Sequence, residues 1–200
     1  MKTQATRDKL IRVGAELIAE HGFNATGINS VLKRAEVPKG SFYHYFSSKE
    51  DFGLAVIDAF AEEYDARLAA IFTDTRASPL ARLRHYFAVG KQDMLSCDHA
   101  RGCLIGNLGQ ELSAQSEVFR ARLDQVFRAW ERRLADCLDE ARGKGEIDAT
   151  LDAYAQASFI MAGWEGAILR AKTVKSLKPM ECFEEVLFNR VLLPRSSPAP

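Results

Sequence analysis

No run of apolar residues in this 200-residue chain approaches the roughly 20 needed to cross a bilayer. The first segment, MKTQATRDKLIRVGAELIAEHG, is not a secretory leader either, because Glu16 and Glu20 interrupt any apolar stretch. Both absences point to a cytoplasmic protein that does not enter a membrane. Cysteine is scarce, and Cys97, Cys103, Cys137 and Cys182 show no C-x-x-C pairing. A structural metal is therefore not expected, and in a reducing compartment the thiols stay free. No phosphate-cradling glycine motif occurs, so no cofactor is expected. Alternating strand patterns are also nearly missing, whereas 3.6-residue apolar periodicity and helix punctuation recur throughout. The fold class read from this pattern is all-α.

Net charge is missing only in sum. Residues 1–49 hold eight Lys/Arg (Lys2, Arg7, Lys9, Arg12, Lys33, Arg34, Lys39, Lys49) against four acids (Asp8, Glu16, Glu20, Glu36), a balance of +4. The chain as a whole balances at zero, so residues 50–200 carry −4. A basic head on an acidic body keeps attraction for phosphate local to the head.

The first helix carries Leu10, Ile11, Leu17 and Ile18 at helical spacing and stops at His21-Gly22. A second runs from about Gly27 to Ala35 and is broken by Val37-Pro38, since a residue before proline avoids helical dihedrals. A third, short helix spans about Lys39 to Phe46, anchored inward by Phe42, Tyr45 and Phe46. Ser47-Ser48-Lys49-Glu50 reads as a capping box that opens a long helix to about Thr73. Further helices are predicted over about 79–95, 102–112, 117–142, 150–172 and 179–193. The expected organisation is a three-helix, helix-turn-helix head over residues 1–47, a body of about six helices over 48–193, and a disordered tail over 194–200.

The second and third helices form a helix-turn-helix pair, in which one helix braces another whose N-terminal residues enter the major groove of DNA. Lys39, Gly40 and Ser41 stand at that N-terminus, where free N–H groups favour anions. Tyr43 and His44 point outward between inward Phe42 and Phe46. Thr26 and Asn29 are placed for the opposite groove wall, and Lys49 for a neighbouring phosphate. The stretch GFNATGINSVLKRAEVPKGSFYHYFSSKEDF, residues 22–52, resembles the TetR family of bacterial transcriptional regulators. That resemblance implies operator contacts at Thr26, Asn29, Lys39, Gly40, Ser41, Tyr43, His44 and Lys49, with Tyr43 and Lys49 on phosphates and Lys39 reading a base, preferably guanine. It also implies a homodimer joined through the last two long helices, reading a near-palindrome of double-stranded DNA at half-sites roughly 34–36 Å apart. Small residues (Ala155, Ala157, Ala162, Gly163, Gly166, Ala167, Ala171) and apolar ones (Ile160, Met161, Trp164, Ile168, Leu169, Val186, Leu187, Val191, Leu192) supply such an interface.

The body carries D-H-A-R-G-C-L-I-G-N-L-G-Q-E, residues 98–111, whose glycines make a weak helix that moves readily. Cys103 lies at its start, where a helix N-terminus with His99 and Arg101 favours thiolate. The pattern G-C-L-x-x-x-L-x-x-E is similar to that of the family's electrophile-responsive, NemR-type subgroup. The expected effector is an electrophile or oxidant acting at Cys103, with Cys97 as rival or resolving thiol. Lys172 is either a neighbour that lowers the Cys103 pKa or, more simply, a lysine snorkelling at a helix end. Cys137 and Cys182 are expected in the core. The alternative is a reversible organic ligand in a cavity lined by Phe60, Tyr64, Phe87, Phe127, Trp130 and Trp164, with Cys103 structural. A Cys103–His99 nucleophile–base enzyme ranks far below both, because nothing supplies an oxyanion site.

Overall fold

The computed structural model describes residues 2–193, so the predicted disordered tail over 194–200 lies outside the described residues. Among the described residues every regular element is helical: α1 (Lys2–His21), α2 (Ile28–Ala35), a 3-10 helix (Lys39–His44), α3 (Lys49–Phe72), α4 (Pro79–Ser96), α5 (Leu104–Leu112), α6 (Glu117–Gly143), α7 (Ala153–Val174), α8 (Lys178–Val186) and a closing π turn (Leu187–Val191). Among the described residues no helix is long and apolar enough to cross a membrane. The chain divides into two compact units, Met1–Tyr64 with Arg101–Val126, and Asp65–Ala100 with Phe127–Pro200.

In the first unit α1 buries Leu10, Ile11, Val13, Leu17 and Ile18. It ends where Gly22 takes a left-handed φ of +84° and its N–H bonds to the Ile18 carbonyl. Helix α2 is closed by Glu36 at φ 54°, whose N–H reaches the Leu32 and Lys33 carbonyls, while Val37 N–H returns to Leu32. The expected third helix is a 3-10 segment, two residues shorter than read from the sequence. Pro38 fixes its entry, and at its end the Phe42 carbonyl accepts both the Tyr45 N–H at 2.9 Å and the Phe46 N–H at 3.1 Å. The cap of α3 sits one residue later than expected. Ser48 Oγ accepts the Asp51 N–H, and Asp51 Oδ2 reaches back to the N–H of Ser47 at 2.8 Å. Glu50 instead accepts from the Ser116 hydroxyl.

In the second unit α4 begins at Ser78-Pro79, with Ser78 Oγ accepting the Ala81 N–H. The buried Arg82 is held between the Phe72 carbonyl and Glu140. Helix α7 starts later than predicted because Asp148 ties up Thr150 in a local turn, leaving Asp152 to cap the Tyr154 and Ala155 N–H groups. The predicted single last helix is two elements. Leu187, Phe188 and Leu192 are all buried, and the wide π turn brings Leu187 and Leu192 to one face while Arg84 lies 3.8 Å above the Phe188 ring. Helix α8 packs closely on α7 at Gly163, where an added Cβ would stand 2.3 Å from Phe183.

Much of the predicted dimer surface is core. Ala157, Ile160, Met161, Trp164, Ala167, Ala171, Leu187 and Leu192 are buried within the chain itself. The face of α7 that stays exposed carries Ala155, Phe159, Ala162, Gly166 and Leu169 at three- and four-residue spacing, and α8 exposes Cys182 and Val186.

The α3 cap sets a measurable stability difference. Ser48→Ala should cost about 1 kcal/mol, read as a lower urea midpoint at unchanged slope. Glu50→Ala, which removes an exposed bond, should shift the midpoint less.

Candidate nucleic-acid interface

Three aromatic rings decide which way the 3-10 helix faces. Phe42 and Phe46 are 0% and 1% exposed, and with Phe52 they form a ring triangle with centroids 5.0 to 5.5 Å apart. Arg7 covers the Phe46 ring at 5.3 Å. With 42 and 46 turned inward, the intervening Tyr43 and His44 are driven outward, and Tyr43 is 69% exposed. Lys39 and Gly40 are exposed beside them, Ser41 is half-buried, and Asn29 is exposed in the first turn of α2. Tyr45, predicted as an inward anchor, is only half-buried. A Cβ on Gly40 would meet nothing within 4 Å.

Thr26 departs from the expected arc. It is 4% exposed, its hydroxyl donates to the Gly22 carbonyl at 2.6 Å, and its N–H bonds to Phe23. Its side chain braces the turn before α2 and does not face outward. Lys49 is half-buried and folded onto the same turn. Its ammonium donates to the Asn24 carbonyl at 3.2 Å and lies 4.6 Å from the Phe23 ring centroid. Burial pulls its pKa below the usual lysine value, and the neighbouring Glu111 carboxylate pushes it back up.

That carboxylate is the part of the site for which the sequence offered no role. Glu111, in the last turn of α5, accepts the Phe23 N–H at 2.8 Å and the Asn24 N–H at 2.7 Å. Gln115 adds a bond from its side-chain carbonyl oxygen to the Asn24 amide, and Arg101 pairs with Glu20 at 3.1 Å. In the sequence it appears as the last residue of G-C-L-x-x-x-L-x-x-E, an acid near a helix C-terminus, where the dipole disfavours it.

Cys103 is half-buried and caps α5, its Sγ accepting the Gly106 N–H at 3.4 Å. Cys97 is also half-buried and donates to the Met94 carbonyl. Cys137 is core as expected, donating to the Pro79 carbonyl, and burial pushes its pKa up to about 11. Cys182, expected in the core, is exposed because it lies on the outer face of α8. Lys172 is half-buried in the last turn of α7. Trp164 packs edge-on against Phe87 at 4.7 Å and also meets Tyr86 and Phe183, while the buried Trp130 lies edge-on to Phe127. Phe60 and Tyr64 stack on one another along α3. Among the described residues no His/Cys/Asp/Glu group is arranged to hold a metal ion.

An all-helical chain with an outward polar arc on a buried aromatic anchor, preceded by a bracing helix and a tight turn, belongs to the class of helix-turn-helix DNA-binding regulators. Residues 10–56 match the family described as bacterial regulatory proteins, tetR family, and residues 79–187 match the tetracyclin repressor-like C-terminal domain. The chain is 45% identical over 174 residues to the transcriptional regulator AcuR of Cereibacter sphaeroides, covering 87% of this chain and 80% of that protein. A regulatory protein TetR from Rhodobacter sphaeroides has a crystal structure that matches with TM-score 0.88 at 44% identity, over 93% of this chain and 98% of that one. The Escherichia coli repressor NemR is 34% identical over 180 residues, 88% of each chain. Its reduced form matches with TM-score 0.85 at 32% identity, over 96% of this chain and 100% of that one. This chain belongs to the TetR family. It is a transcriptional repressor of that type and not an enzyme, and regulators of this family bind operator DNA and act as dimers.

The Cys137 thiol gives a pH prediction. Its pKa rises from about 9 unfolded to about 11 folded, so its contribution to stability is complete below about pH 9 and is lost as pH climbs through about 11. Wild-type protein should lose unfolding free energy relative to Cys137→Val across that window. Parallel curves from pH 8 to 11 would contradict the burial of this thiol.

Proposed function

We propose that this repressor reads a near-palindromic operator through Lys39, Gly40, Ser41, Tyr43 and His44, with Asn29 and Lys49 on the flanking backbone, and is released by an electrophile or oxidant reacting at Cys103. The observation that carries the DNA reading is the exposed arc Lys39–Gly40–Tyr43–His44 on a fully buried Phe42/Phe46 anchor. A rigid anchor holds these groups in fixed register, as base and phosphate contacts demand. Gly40 stands in open space beside that arc, where backbone without a side chain would let a sugar-phosphate wall come close.

The sensing half is supported by Cys103 as the half-buried cap of a glycine-rich helix. Its thiolate sulfur would add to the β-carbon of an unsaturated carbonyl, forming a C–S bond as the C=C π bond opens, and the α-carbon would take up the proton that the thiol released. The NemR resemblance supports this reading over the reversible-ligand alternative. The two protomers would pair through Phe159, Ala162, Gly166 and Leu169 of α7 with Val186 of α8, the part of the two helices left exposed. Such a protein would work in the cytoplasm.

Fluorescence anisotropy on a duplex of the protein's own upstream DNA tests the head. Lys39→Ala should cost about 1–3 kcal/mol and relax specificity at one base pair, whereas Tyr43→Phe should weaken all duplexes alike. Neither variant changing affinity for any duplex would refute the assignment. The sensor is tested on the same duplex with N-ethylmaleimide. Wild-type protein should let go of the DNA and Cys103→Ser should stay bound; an equal response in both moves sensing away from Cys103.

A further inference from the structure

The pattern G-C-L-x-x-x-L-x-x-E ends in a residue that its own helix does not explain. Glu111 stands in the last turn of α5, at the negative end of the helix dipole, and that turn has no basic residue to offset it. Its stabilisation is tertiary. One carboxylate receives two consecutive backbone N–H groups, Phe23 and Asn24, from the turn between α1 and α2. Gly22, immediately before, is shaped around it: φ is +84°, and an added Cβ would lie 3.0 Å from Glu111 Oε2. The second of those peptide units, Asn24, presents its carbonyl to the Lys49 ammonium. Gln115 joins α5 to the same residue, its amide nitrogen donating to the Glu111 carbonyl and its Oε1 accepting from Asn24.

At its other end α5 is capped by Cys103. The helix is held by Leu104, Ile105, Leu108 and Leu112, all at most 3% exposed, so its packing opposes unwinding. Cys103 and Glu111 are eight residues apart, roughly 12 Å at the helical rise. A substituent on Sγ would compete with the bond that Sγ accepts from the Gly106 N–H, and so would act on the end of α5 opposite Glu111.

We propose that Glu111 is the positioning residue through which α5 fixes the α1–α2 turn and Lys49 for DNA binding, so that covalent change at Cys103 reaches the head by loosening this carboxylate clamp. The inference rests on the reading of Lys49 and Cys103 given above. The coupling is reciprocal: a head locked on DNA holds α5 in place and slows the reaction at Cys103.

The test uses full-length Glu111→Ala and the isosteric Glu111→Gln, which retains the fold if the alanine variant does not. Amide hydrogen exchange reads the clamp without DNA, and anisotropy on the upstream duplex reads its consequence. In Glu111→Ala the Phe23 and Asn24 amides should exchange faster. Affinity should fall about five- to 150-fold, and the salt dependence should flatten by about one phosphate contact, as in Lys49→Ala. Glu111→Ala should then cost little more in a Lys49→Ala background, the non-additivity that separates positioning from general destabilisation. N-ethylmaleimide on wild-type protein should accelerate the same two amides. It should lower the affinity of Glu111→Ala by a smaller factor than that of wild type. Unchanged exchange and affinity in Glu111→Ala, or equal maleimide factors in variant and wild type, would overturn the proposal. If wild-type affinity ignores maleimide, it is the Cys103 reading that fails, and the positioning role of Glu111 is decided by the exchange and salt-dependence arms. If Lys49→Ala binds as wild type while Glu111→Ala does not, the route through Lys49 is refuted.

Discussion

The burial of Phe42 and Phe46 is the constraint on which the DNA-reading surface depends. Both rings are excluded from water and locked against Phe52. Removing either would leave a cavity costing about 3–5 kcal/mol, enough to release the short 3-10 segment from the unit. Because the segment is only six residues long, its own hydrogen bonds cannot hold it, and the rings do so instead. The polar groups between them have no conformational choice left. Lys39, Tyr43 and His44 face outward for the same reason that Phe42 and Phe46 face inward.

A second level of order links that surface to the thiol-bearing helix. Backbone N–H groups in a turn are donors that must find acceptors, and a carboxylate satisfies two of them more strongly than a neutral oxygen does. Glu111 supplies that acceptor to Phe23 and Asn24, and the charge of Lys49 nearby offsets the burial of the anion. The clamp is polar and local, so a small displacement of α5 would lengthen its hydrogen bonds, whereas the aromatic anchor is held by burial. A regulator needs both properties: a rigid reading surface and a yielding connection to whatever senses the signal.

The second unit is organised differently. Its aromatic side chains pack ring against ring, Phe87 meeting Trp164, Phe183 and Phe188 at 4.7 to 6.0 Å. Small residues on α7 serve two ends at once. Gly163 lets α8 approach within its own unit, while Ala155, Ala162 and Gly166 remain on the exposed face beside Phe159 and Leu169. Composition alone did not separate these two roles, since both faces are rich in small and apolar residues.

Local physical chemistry wrote much of this protein into its sequence. Helix periodicity, the Val37-Pro38 break, the His21-Gly22 stop and the outward Lys39–Tyr43–His44 arc follow from backbone propensity and apolar spacing, which act over a few residues. The family match over residues 22–52 was legible for the same reason, because the motif is contiguous. Tertiary structure decided what depends on partners distant along the chain. It turned Thr26 inward onto the Gly22 carbonyl, exposed Cys182, moved the α3 cap from Ser47-Glu50 to Ser48-Asp51, and converted the end of the last helix into a π turn. Glu111 is the clearest case. Its sequence position, an acid in the last turn of a weak helix, is locally unfavourable, and its meaning comes from two N–H groups almost ninety residues earlier. Periodicity cannot report a bond of that span, because it is set by packing between elements and not by any neighbour in the chain.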